Sequence, residues 1–407
     1  MKGPAFISLL SIFIVLASVA VSHSGYLVTQ LTENLSYAGP PSINDSGYVV
    51  WVGDNPDEEI FLYDGSTTTQ LTNNSYSDGL PQINNNGHVV WMGWDGVDSE
   101  IFLYDGTSTT QLTENDYDDN YPQINANGYV VWAGTDGLDD EIFLYDGTST
   151  TQLTENDCDD NYPQINANGD VVWYGQSGSV DTTEIFFYDG TTTIQLTDDV
   201  YDDKDPQISD NGDVVWIKEI SWGGRDILLY DGTSIIQLAD DVNDGLFSDI
   251  RPKINANGQV VWGQECDSSS EIFLYDGMTT TQLTNRLYED WDPDINDNGD
   301  VVWLGTDIWG GVVVFLYNGT TRTKLPRRQA RWIQFLQISN NGQVVWSEND
   351  LDSLDFEVFL AKPTTQWGPF SVVGIGSQPA SDTSNYLLLL IVPTGVILLW
   401  KGMRRNK

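Results

Sequence analysis

The sequence predicts an all-β fold, an eight-bladed β-propeller of four-stranded antiparallel blades over residues 26–362. Three observations lead to this prediction. A unit of about 42 residues, a period typical of propellers, recurs eight times along the chain. The middle strands of the unit are apolar on both faces. An extra strand at the start of the chain matches a missing strand at its end.

Val-Val-Trp segments mark the repeat. Their tryptophans are 40 to 46 residues apart and lie at Trp51, Trp91, Trp132, Trp173, Trp216, Trp262, Trp303 and Trp346. In the typical unit an aromatic segment such as 141–147 and a threonine-rich segment such as 148–154 follow, and an acidic loop and a short Pro-Gln-Ile-Asn segment complete it. β-Branched and aromatic residues favour strands, and the Asn-Gly and Asp-Gly pairs favour tight hairpins. Each unit is therefore predicted to be a four-stranded meander.

The apolar pattern predicts how the meanders pack. In the third unit, Val130, Val131 and Trp132 are consecutive apolar residues, and so are residues 142–145 of the next strand. A strand with one solvated face alternates between apolar and polar residues, and these strands do not. Both faces of each meander must therefore be covered, and stacking each one between two neighbours as a propeller blade does this.

The two ends of the repeat region predict a closed ring. The first threonine-rich segment, 29–32, precedes the first Val-Val-Trp segment, whereas the last unit ends at 357–363 without a threonine-rich strand. We expect the N-terminal strand to complete the eighth blade. A seven-bladed ring with one spare sheet is the alternative.

The order of these segments resembles the TolB-type propeller repeat, which is related to the WD repeat. Residues 123–128 stand where that family has a Ser-Pro-Asp-Gly turn, and residues 111–113 match its closing strand. The resemblance covers about residues 26–362 and implies a scaffold that binds proteins or ligands outside the cytoplasm. It carries over no catalytic residues.

Both ends of the chain resemble membrane-directing segments. Residues 1–22 have a lysine, an apolar run and small residues, which predicts a cleaved signal peptide, with an uncleaved anchor as the alternative. Residues 386–407 combine a short apolar run with a basic end, which predicts a C-terminal transmembrane helix and a cytoplasmic tail, with a buried helix as the alternative. Residues 363–385 are the predicted linker. We expect an exported protein, tethered at the cell surface or envelope.

The charge excludes one class of partner and weakens one class of catalyst. A net charge of −43 repels a phosphate backbone, so a nucleic-acid partner is not expected. The chain has only two histidines, His23 and His88, which argues against histidine-dependent catalysis. No lysine or arginine occurs from Gly3 to Asp203.

Acidic loops between the units are candidate Ca²⁺ sites, because Ca²⁺ takes several carboxylate and carbonyl oxygens. The candidate ligands are Asp116, Asp118, Asp119, Asp157, Asp159, Asp160, Asp202 and Asp203. The alternative is that these loops only keep an exported protein soluble.

Four tryptophans lie outside the Val-Val-Trp pattern and are candidate contacts to a partner, either an extracytoplasmic protein or a glycan. They are Trp94, Trp222, Trp291 and Trp309. The preferred hypothesis is a non-catalytic binding or surface-display module. The alternatives are a carboxylate-dependent glycan-active enzyme, which needs two carboxylates in one pocket, and a structural surface-layer component.

Overall fold

A computed structural model gives the fold of the protein. It describes residues 25–33, 37–54, 57–176, 182–220, 223–242, 251–266, 269–285, 287–326, 330–350, 355–364, 388–392 and 395–399. The predicted signal peptide, most of the predicted linker and the basic tail lie outside these residues.

The described chain forms eight four-stranded antiparallel blades, as predicted. The first strand is β1 (Tyr26–Gln30), which belongs to the last blade. The strands of the first four blades follow in chain order. They are β2 (Ser42–Ile43), β3 (Val49–Asp54), β4 (Glu58–Tyr63) and β5 (Thr68–Gln70); β6 (Asp78–Ile83), β7 (Val89–Trp94), β8 (Ser99–Tyr104) and β9 (Thr109–Gln111); β10 (Asp119–Ile124), β11 (Val130–Thr135), β12 (Asp140–Tyr145) and β13 (Thr150–Gln152); β14 (Asp160–Ile165), β15 (Val171–Gln176), β16 (Thr183–Tyr188) and β17 (Thr193–Gln195).

The second half of the ring repeats the same arrangement. Its strands are β18 (Asp202–Ile208), β19 (Val214–Glu219), β20 (Arg225–Tyr230) and β21 (Ile235–Val242); β22 (Lys253–Ile254), β23 (Val260–Cys266), β24 (Ser269–Tyr275) and β25 (Thr280–Gln282); β26 (Asp290–Ile295), β27 (Val301–Thr306), β28 (Val312–Tyr317) and β29 (Arg322–Lys324); and β30 (Ala330–Ile338), β31 (Val344–Asp350) and β32 (Phe356–Pro363). A single residue pair, Val312 with Ala330, links blades 7 and 8 into one sheet.

The core consists of apolar layers between adjacent blades. Val131 of blade 3 packs with Val171 and Trp173 of blade 4. The residues on either side of it, Val130 and Trp132, pack with blade 2 instead. Consecutive residues of one strand therefore serve two different interfaces, which explains why the middle strands do not alternate. The tryptophan of every blade is fully buried.

The N-terminal strand closes the ring, as predicted. β1 pairs antiparallel with β32, with Tyr26 opposite Pro363 and Gln30 opposite Phe359. Just after β1, the Thr32 hydroxyl donates a hydrogen bond to the Glu357 carboxylate and accepts one from the backbone N–H of Val358. Blade 8 then packs on blade 1 through a shared apolar cluster. Eight blades therefore complete the circle, and the seven-bladed alternative is wrong.

The predicted C-terminal helix is not found. β33 (Leu388–Val392) and β34 (Gly395–Leu399) pair as an antiparallel hairpin. Two five-residue apolar runs flank a Pro-Thr dipeptide and a glycine, and proline interrupts a helix whereas β-branched residues favour strands. Among the residues that the structure describes, no helix has the length and apolar character needed to cross a bilayer.

Candidate active site

Asparagine side chains fix the innermost strands around the ring axis. In the turn after β10, the Asn125 Oδ1 accepts hydrogen bonds from the backbone N–H groups of Asn127 and Tyr129. Its Nδ2 donates to the carbonyl oxygen of Asn166 in the next blade, at 3.0 Å. The same bond to the next blade is made by the other asparagines of this position, Asn44, Asn84, Asn166, Asn255 and Asn296. The turn and the blade-to-blade contact thus depend on one side chain.

These turns surround the narrow end of the central channel. A cavity of about 330 Å³ lies there, lined by isoleucines such as Ile43 and Ile124, by the asparagine position and by the residue after it. His88 lies in one of these turns, where its backbone N–H bonds to Asn84. This end is therefore lined by isoleucines, by amides and by three carboxylates, those of Asp45, Asp210 and Asp297.

The other end of the channel is shaped by bulges in the innermost strands. The pairing of β10 with β11 shifts between Asn120 and Gln123. Within such bulges, six residues other than glycine have φ between 50° and 58°, namely Leu80, Tyr121, Tyr162, Asp205, Asp292 and Phe335. A left-handed conformation costs such a residue roughly 1–2 kcal/mol. Strain of this kind concentrates at functional sites, where it redirects a side chain.

The bulge position divides the channel into two arcs. Blades 8, 1, 2, 3 and 4 place apolar or aromatic residues there, in the order Phe335, Pro40, Leu80, Tyr121 and Tyr162. Blades 5, 6 and 7 place charged residues there, in the order Asp205, Arg251 and Asp292. Because the innermost strands follow one another around the ring, this position forms one apolar or aromatic arc, the aromatic side, and one charged arc, the charged side.

Three tyrosines form a stack on the aromatic side. The rings of Tyr121 and Tyr162 are 4.0 Å apart, and the Tyr162 hydroxyl donates to the Tyr121 hydroxyl at 3.0 Å. Tyr174 of β15 stacks on Tyr162 at 5.5 Å. The hydrogen bond to Tyr121, followed by burial, raises the pKa of Tyr162 to about 12. Burial is also the main cause that raises the pKa of Tyr174. Both tyrosines are therefore neutral hydroxyls at physiological pH.

Cations from blade 6 lie between the carboxylates of the charged side. Arg251 Nε is 3.8 Å from Asp205 Oδ2 of blade 5. Two residues further along blade 6, the charge of Lys253 acts on Asp294 of blade 7. Burial raises the pKa of Asp294, Lys253 opposes that shift, and the carboxylate accepts the backbone N–H of Ile338 at 2.8 Å. The site thus holds a carboxylate paired with Arg251 and a second, half-buried one.

Three of the predicted metal ligands have a different set of partners. Asp119, Asp160 and Asp203 are buried and accept the indole N–H of the tryptophan in the same blade, at 2.9, 3.0 and 2.8 Å. Burial raises the pKa of each of these carboxyls to about 7. Their contacts are those of core residues, since each one satisfies a buried donor.

Of the other predicted ligands, four lie in exposed loops and Asp202 begins β18. Asp118 and Asp159 accept the backbone N–H of Ser99 and Asp140, at 3.0 and 3.2 Å. Asp202 accepts the backbone N–H of Thr183 and pairs with Lys204 at 3.1 Å. Asp116 and Asp157 are exposed. A metal at these eight residues remains a prediction.

The structure does bring together two carboxylate groups that the sequence analysis did not select. One is formed by Asp95, Asp98 and Glu100, and the other by Asp136, Asp139 and Glu141. In each group, one oxygen from every member lies within 4.8 Å of the others. The signal in the sequence is the shared spacing Asp-Gly-x-Asp-x-Glu.

The four predicted contact tryptophans differ in exposure. Trp309 is 78% exposed and borders a groove of about 520 Å³ with Tyr288, Ile308 and Lys324. Trp94 is 41% exposed. Trp291 packs against the core of blades 7 and 8. Trp222 lies outside the described residues.

The sequence analysis missed the residues at the bulged end of the channel for an identifiable reason. Proline follows five of the six left-handed residues. The residue before this proline is therefore the position that the sequence could have marked. The residue types there differ from blade to blade, so they do not appear as a motif. Only the ring places Tyr162, Asp205 and Arg251 side by side.

Comparisons with known proteins establish the fold. No family model matches the chain, and no curated protein matches it in sequence. Dipeptidyl peptidase 4 from Porphyromonas gingivalis is similar with a TM-score of 0.57 and 13% identity, over 77% of this chain and 56% of that one. The oligogalacturonate lyase of Vibrio parahaemolyticus has a TM-score of 0.51 and 12% identity, over 84% of this chain and 95% of that one. The chain therefore spans about half of the peptidase but nearly all of the lyase.

A TolB structure is also among the similar structures. The protein from Agrobacterium tumefaciens has a TM-score of 0.39 and 16% identity, over 50% of this chain and 80% of that one.

The comparisons overturn the hypothesis of a non-catalytic binding or display module. The similar propellers belong to enzymes, a peptidase and a lyase. The expectation that the chain is not an enzyme is corrected for the same reason. Reasoning from regular repeats favoured a scaffold because repetition hides the few positions at which the blades differ.

Proposed function

We propose that the protein is a carboxylate-dependent glycan-active enzyme whose active site is the bulged end of the central channel. The observation that carries this proposal is the division of that channel into an aromatic arc and a charged arc. A sugar ring has apolar C–H faces and a polar hydroxyl edge. An aromatic wall opposite carboxylates and a guanidinium matches both.

Two carboxylates in different environments support glycosidic chemistry. Cleavage by hydrolysis requires one protonated acid and one ionised base or nucleophile. Asp294, whose pKa is raised by burial, is our candidate for the proton donor. Asp205, which pairs with Arg251, is the candidate for the ionised carboxylate. Burial favours the neutral form of a carboxyl, which suits Asp294 to the role of proton donor.

The tyrosines and Phe335 would orient the substrate. Phe335 is 39% exposed in the channel wall and offers a stacking surface, and aromatic faces pack well against apolar groups. The Tyr121 hydroxyl, which accepts the Tyr162 O–H, can donate its own O–H to a sugar oxygen. With a net charge of −43, the protein repels polyanions, so a neutral glycan is the preferred substrate class.

The residues of the chain favour this chemistry over that of the similar peptidase. Acyl transfer by a serine commonly uses a histidine base. His88 lies at the opposite, narrow end of the channel, and His23 directly follows the predicted signal peptide. The carboxylates and tyrosines at the bulged end are better suited to glycan cleavage.

Incubation with a panel of polysaccharides tests the proposal. We expect new reducing ends with at least one neutral glycan, and loss of most of the activity in Asp205→Asn and in Asp294→Asn. Asp210→Asn, which removes one charge at the narrow end of the same channel, should retain it. Unsaturated products from a polyuronate would indicate elimination instead of hydrolysis. No cleavage of any glycan, or full activity in both site variants, would refute the proposal.

Export to the extracytoplasmic space is also part of the proposal, and the composition of residues 1–22 supports it. N-terminal sequencing of the protein purified from its host measures this directly. A mature chain beginning near residue 23 is expected, and one beginning at Met1 would contradict it.

A further inference from the structure

The loops that join β7 to β8 and β11 to β12 carry the same acidic pattern. In each loop, the Asp-Gly pair turns the chain, with φ of 110° at Gly96 and 103° at Gly137. The three carboxylates of this pattern lie close together, with one oxygen of each within 4.8 Å of the others. Three formal negative charges therefore share a space suited to one cation. The groups are Asp95, Asp98 and Glu100, and Asp136, Asp139 and Glu141.

Buried oxygens without partners point into the first group. Asp98 is only 5% exposed, and neither of its carboxylate oxygens has a hydrogen-bond partner among the described residues. Glu100 is fully buried, and while its Oε1 accepts the backbone N–H of Asn115 at 2.9 Å, no described residue bonds to its Oε2. Burying a charge without a partner is costly, and proteins normally compensate it. These oxygens lack such compensation.

The second group repeats the observation. Glu141 is fully buried, and its Oε1 accepts the backbone N–H of Asn156 at 2.8 Å. The Thr154 hydroxyl lies near this carboxylate and opposes the rise in its pKa that burial causes, but no described residue meets hydrogen-bond geometry at Oε2. Asp139 also has a buried oxygen without a described partner. A buried glutamate oxygen without a described partner also occurs at Glu184 of blade 4. What distinguishes blades 2 and 3 is the aspartate beside that glutamate, Asp98 or Asp139, which has a buried oxygen without a described partner as well.

Other blades show how the protein compensates such charges with its own cations. In blade 7, Lys324 Nζ lies 2.9 Å from Asp307, in the loop after the equivalent strand. In blade 5, Lys218 pairs with Asp199. Blades 2 and 3 have no such residue, because no lysine or arginine occurs between Gly3 and Asp203. A cation from solution can supply what these blades lack.

We propose that each of the two groups binds one Ca²⁺ ion. The donors are carboxylate oxygens, which suit hard cations and not zinc or copper. Ca²⁺ accepts six to eight oxygens in flexible geometry, so loop carbonyls and water complete its coordination readily. Mg²⁺ demands a stricter octahedron and binds such loops less well. The proposal does not depend on any activity at the channel.

Bound Ca²⁺ would fasten neighbouring blades. Asp118, in the chain segment that leads to blade 3, accepts the backbone N–H of Ser99 at 3.0 Å, next to the first group. Asp159 makes the same contact with Asp140 beside the second group, at 3.2 Å. An ion between these segments thus links the loop of one blade to the entry of the next.

Calorimetry and terbium luminescence on the full chain test the proposal. After chelation, the protein should bind two Ca²⁺ ions, and its Tm should rise in CaCl₂ more than in NaCl or MgCl₂ of equal ionic strength, because a ligand of the native state stabilises it. Tb³⁺, a hard cation, should replace Ca²⁺, and Trp94 beside Asp95 should sensitise its luminescence.

Two variants separate the sites. Asp98→Asn and Asp139→Asn should each lower the stoichiometry by one or weaken the affected site at least tenfold, and the double variant should lose the Ca²⁺-specific rise in Tm. Without metal, both should melt at or above the Tm of the parent, since a repulsive charge is removed. Asp189→Asn, in an exposed turn whose hydrogen bonds asparagine can keep, is the matched control and should bind two ions.

Two results would overturn the inference. One is the absence of Ca²⁺ binding and of a Ca²⁺-specific Tm shift in the parent protein. The other is unchanged binding in the folded double variant. If the double variant does not fold, the stoichiometry of the parent and of each single variant decides.

Discussion

At the scale of single residues, buried tryptophans show how polar atoms are accommodated in the propeller core. Trp132 Nε1 donates to Asp119 at 2.9 Å. Trp51 of blade 1 stacks on Phe61 just as Trp132 stacks on Phe143, at 5.9 and 5.8 Å. Blade 1, however, has Ala38 in the position of the aspartate, and among the described residues Trp51 Nε1 has no partner.

A comparison of these two tryptophans measures the contribution of one buried hydrogen bond to the free energy of unfolding. Both Trp132→Phe and Trp51→Phe lose similar apolar contacts, but only the first leaves a buried carboxylate without its donor. We expect Trp132→Phe to reduce the free energy of unfolding by about 1–3 kcal/mol more than Trp51→Phe. Denaturant titration of the two variants measures the difference. Equal losses would mean that the indole–carboxylate bond contributes no net stability.

The residue scale is also where sequence reasoning was least successful. It could select acidic loops by composition, but not which oxygens lack partners, because that depends on the loop conformation. Asp119 and Asp98 are equally plausible ligands in the sequence. In the structure, the first binds an indole N–H and the second has no partner among the described residues.

At the scale of elements, strand pairing was predictable because it follows from local patterns. Two-sided apolar strands and Asn-Gly turns define each blade within about forty residues. The C-terminal segment shows the limit of this reasoning. An apolar run of fifteen residues fits a short helix or two strands by length alone, and the proline within it favours the hairpin β33–β34.

The closing strand provides a test at this scale. Thr32 joins β1 to Glu357 and Val358, and Thr113 makes the equivalent contact with the backbone N–H of Ile101 inside blade 2. Each Thr→Ala change should cost about 1–3 kcal/mol, since a buried hydrogen bond is lost. Only Thr32→Ala should speed hydrogen exchange in β1 and β32, because β1 has no covalent neighbour in its blade.

Hydrogen exchange read by mass spectrometry distinguishes the two variants. Faster exchange of β8 and β9 in Thr113→Ala, matching that of β1 in Thr32→Ala, would show that the closure is no weaker than an internal blade.

At the scale of the whole molecule, repeated carboxyls give the fold a pH dependence. Burial raises the pKa of Asp78 to about 6 and that of Asp160 and Asp203 to about 7. A carboxyl whose pKa is raised by folding stabilises the native state at low pH, and this stabilisation is lost as the pH rises from about 4 to about 7. Turn aspartates act in the opposite direction: hydrogen bonds lower the pKa of Asp146 and Asp189 to about 2, so their contribution is lost in acid.

Stability should therefore be greatest near pH 4 and should fall as the pH rises to about 7, by about 1.4 kcal/mol per pH unit for each proton released. Tm values measured across this range in the presence of a chelator test the trend. Asp203→Asn should flatten the slope because it removes one titrating group. A Tm that rises steadily to pH 8 would contradict the assignment.

The ring as a whole was predictable from periodicity, but its active end was not. Eight equivalent units define the architecture, whereas chemistry arises where the units differ. Tyr162, Asp205 and Arg251 occupy one position in three successive blades, and they become neighbours only after the circle closes.

The noncovalent seam between β1 and β32 has a further consequence. At every other junction between neighbouring blades, the chain itself is continuous. The packing of the blades therefore does not depend on where the chain termini lie. A circular permutant that joins the present ends by a short linker and opens at the Asp146-Gly147 turn should form the same propeller, with its noncovalent closure moved to blade 3.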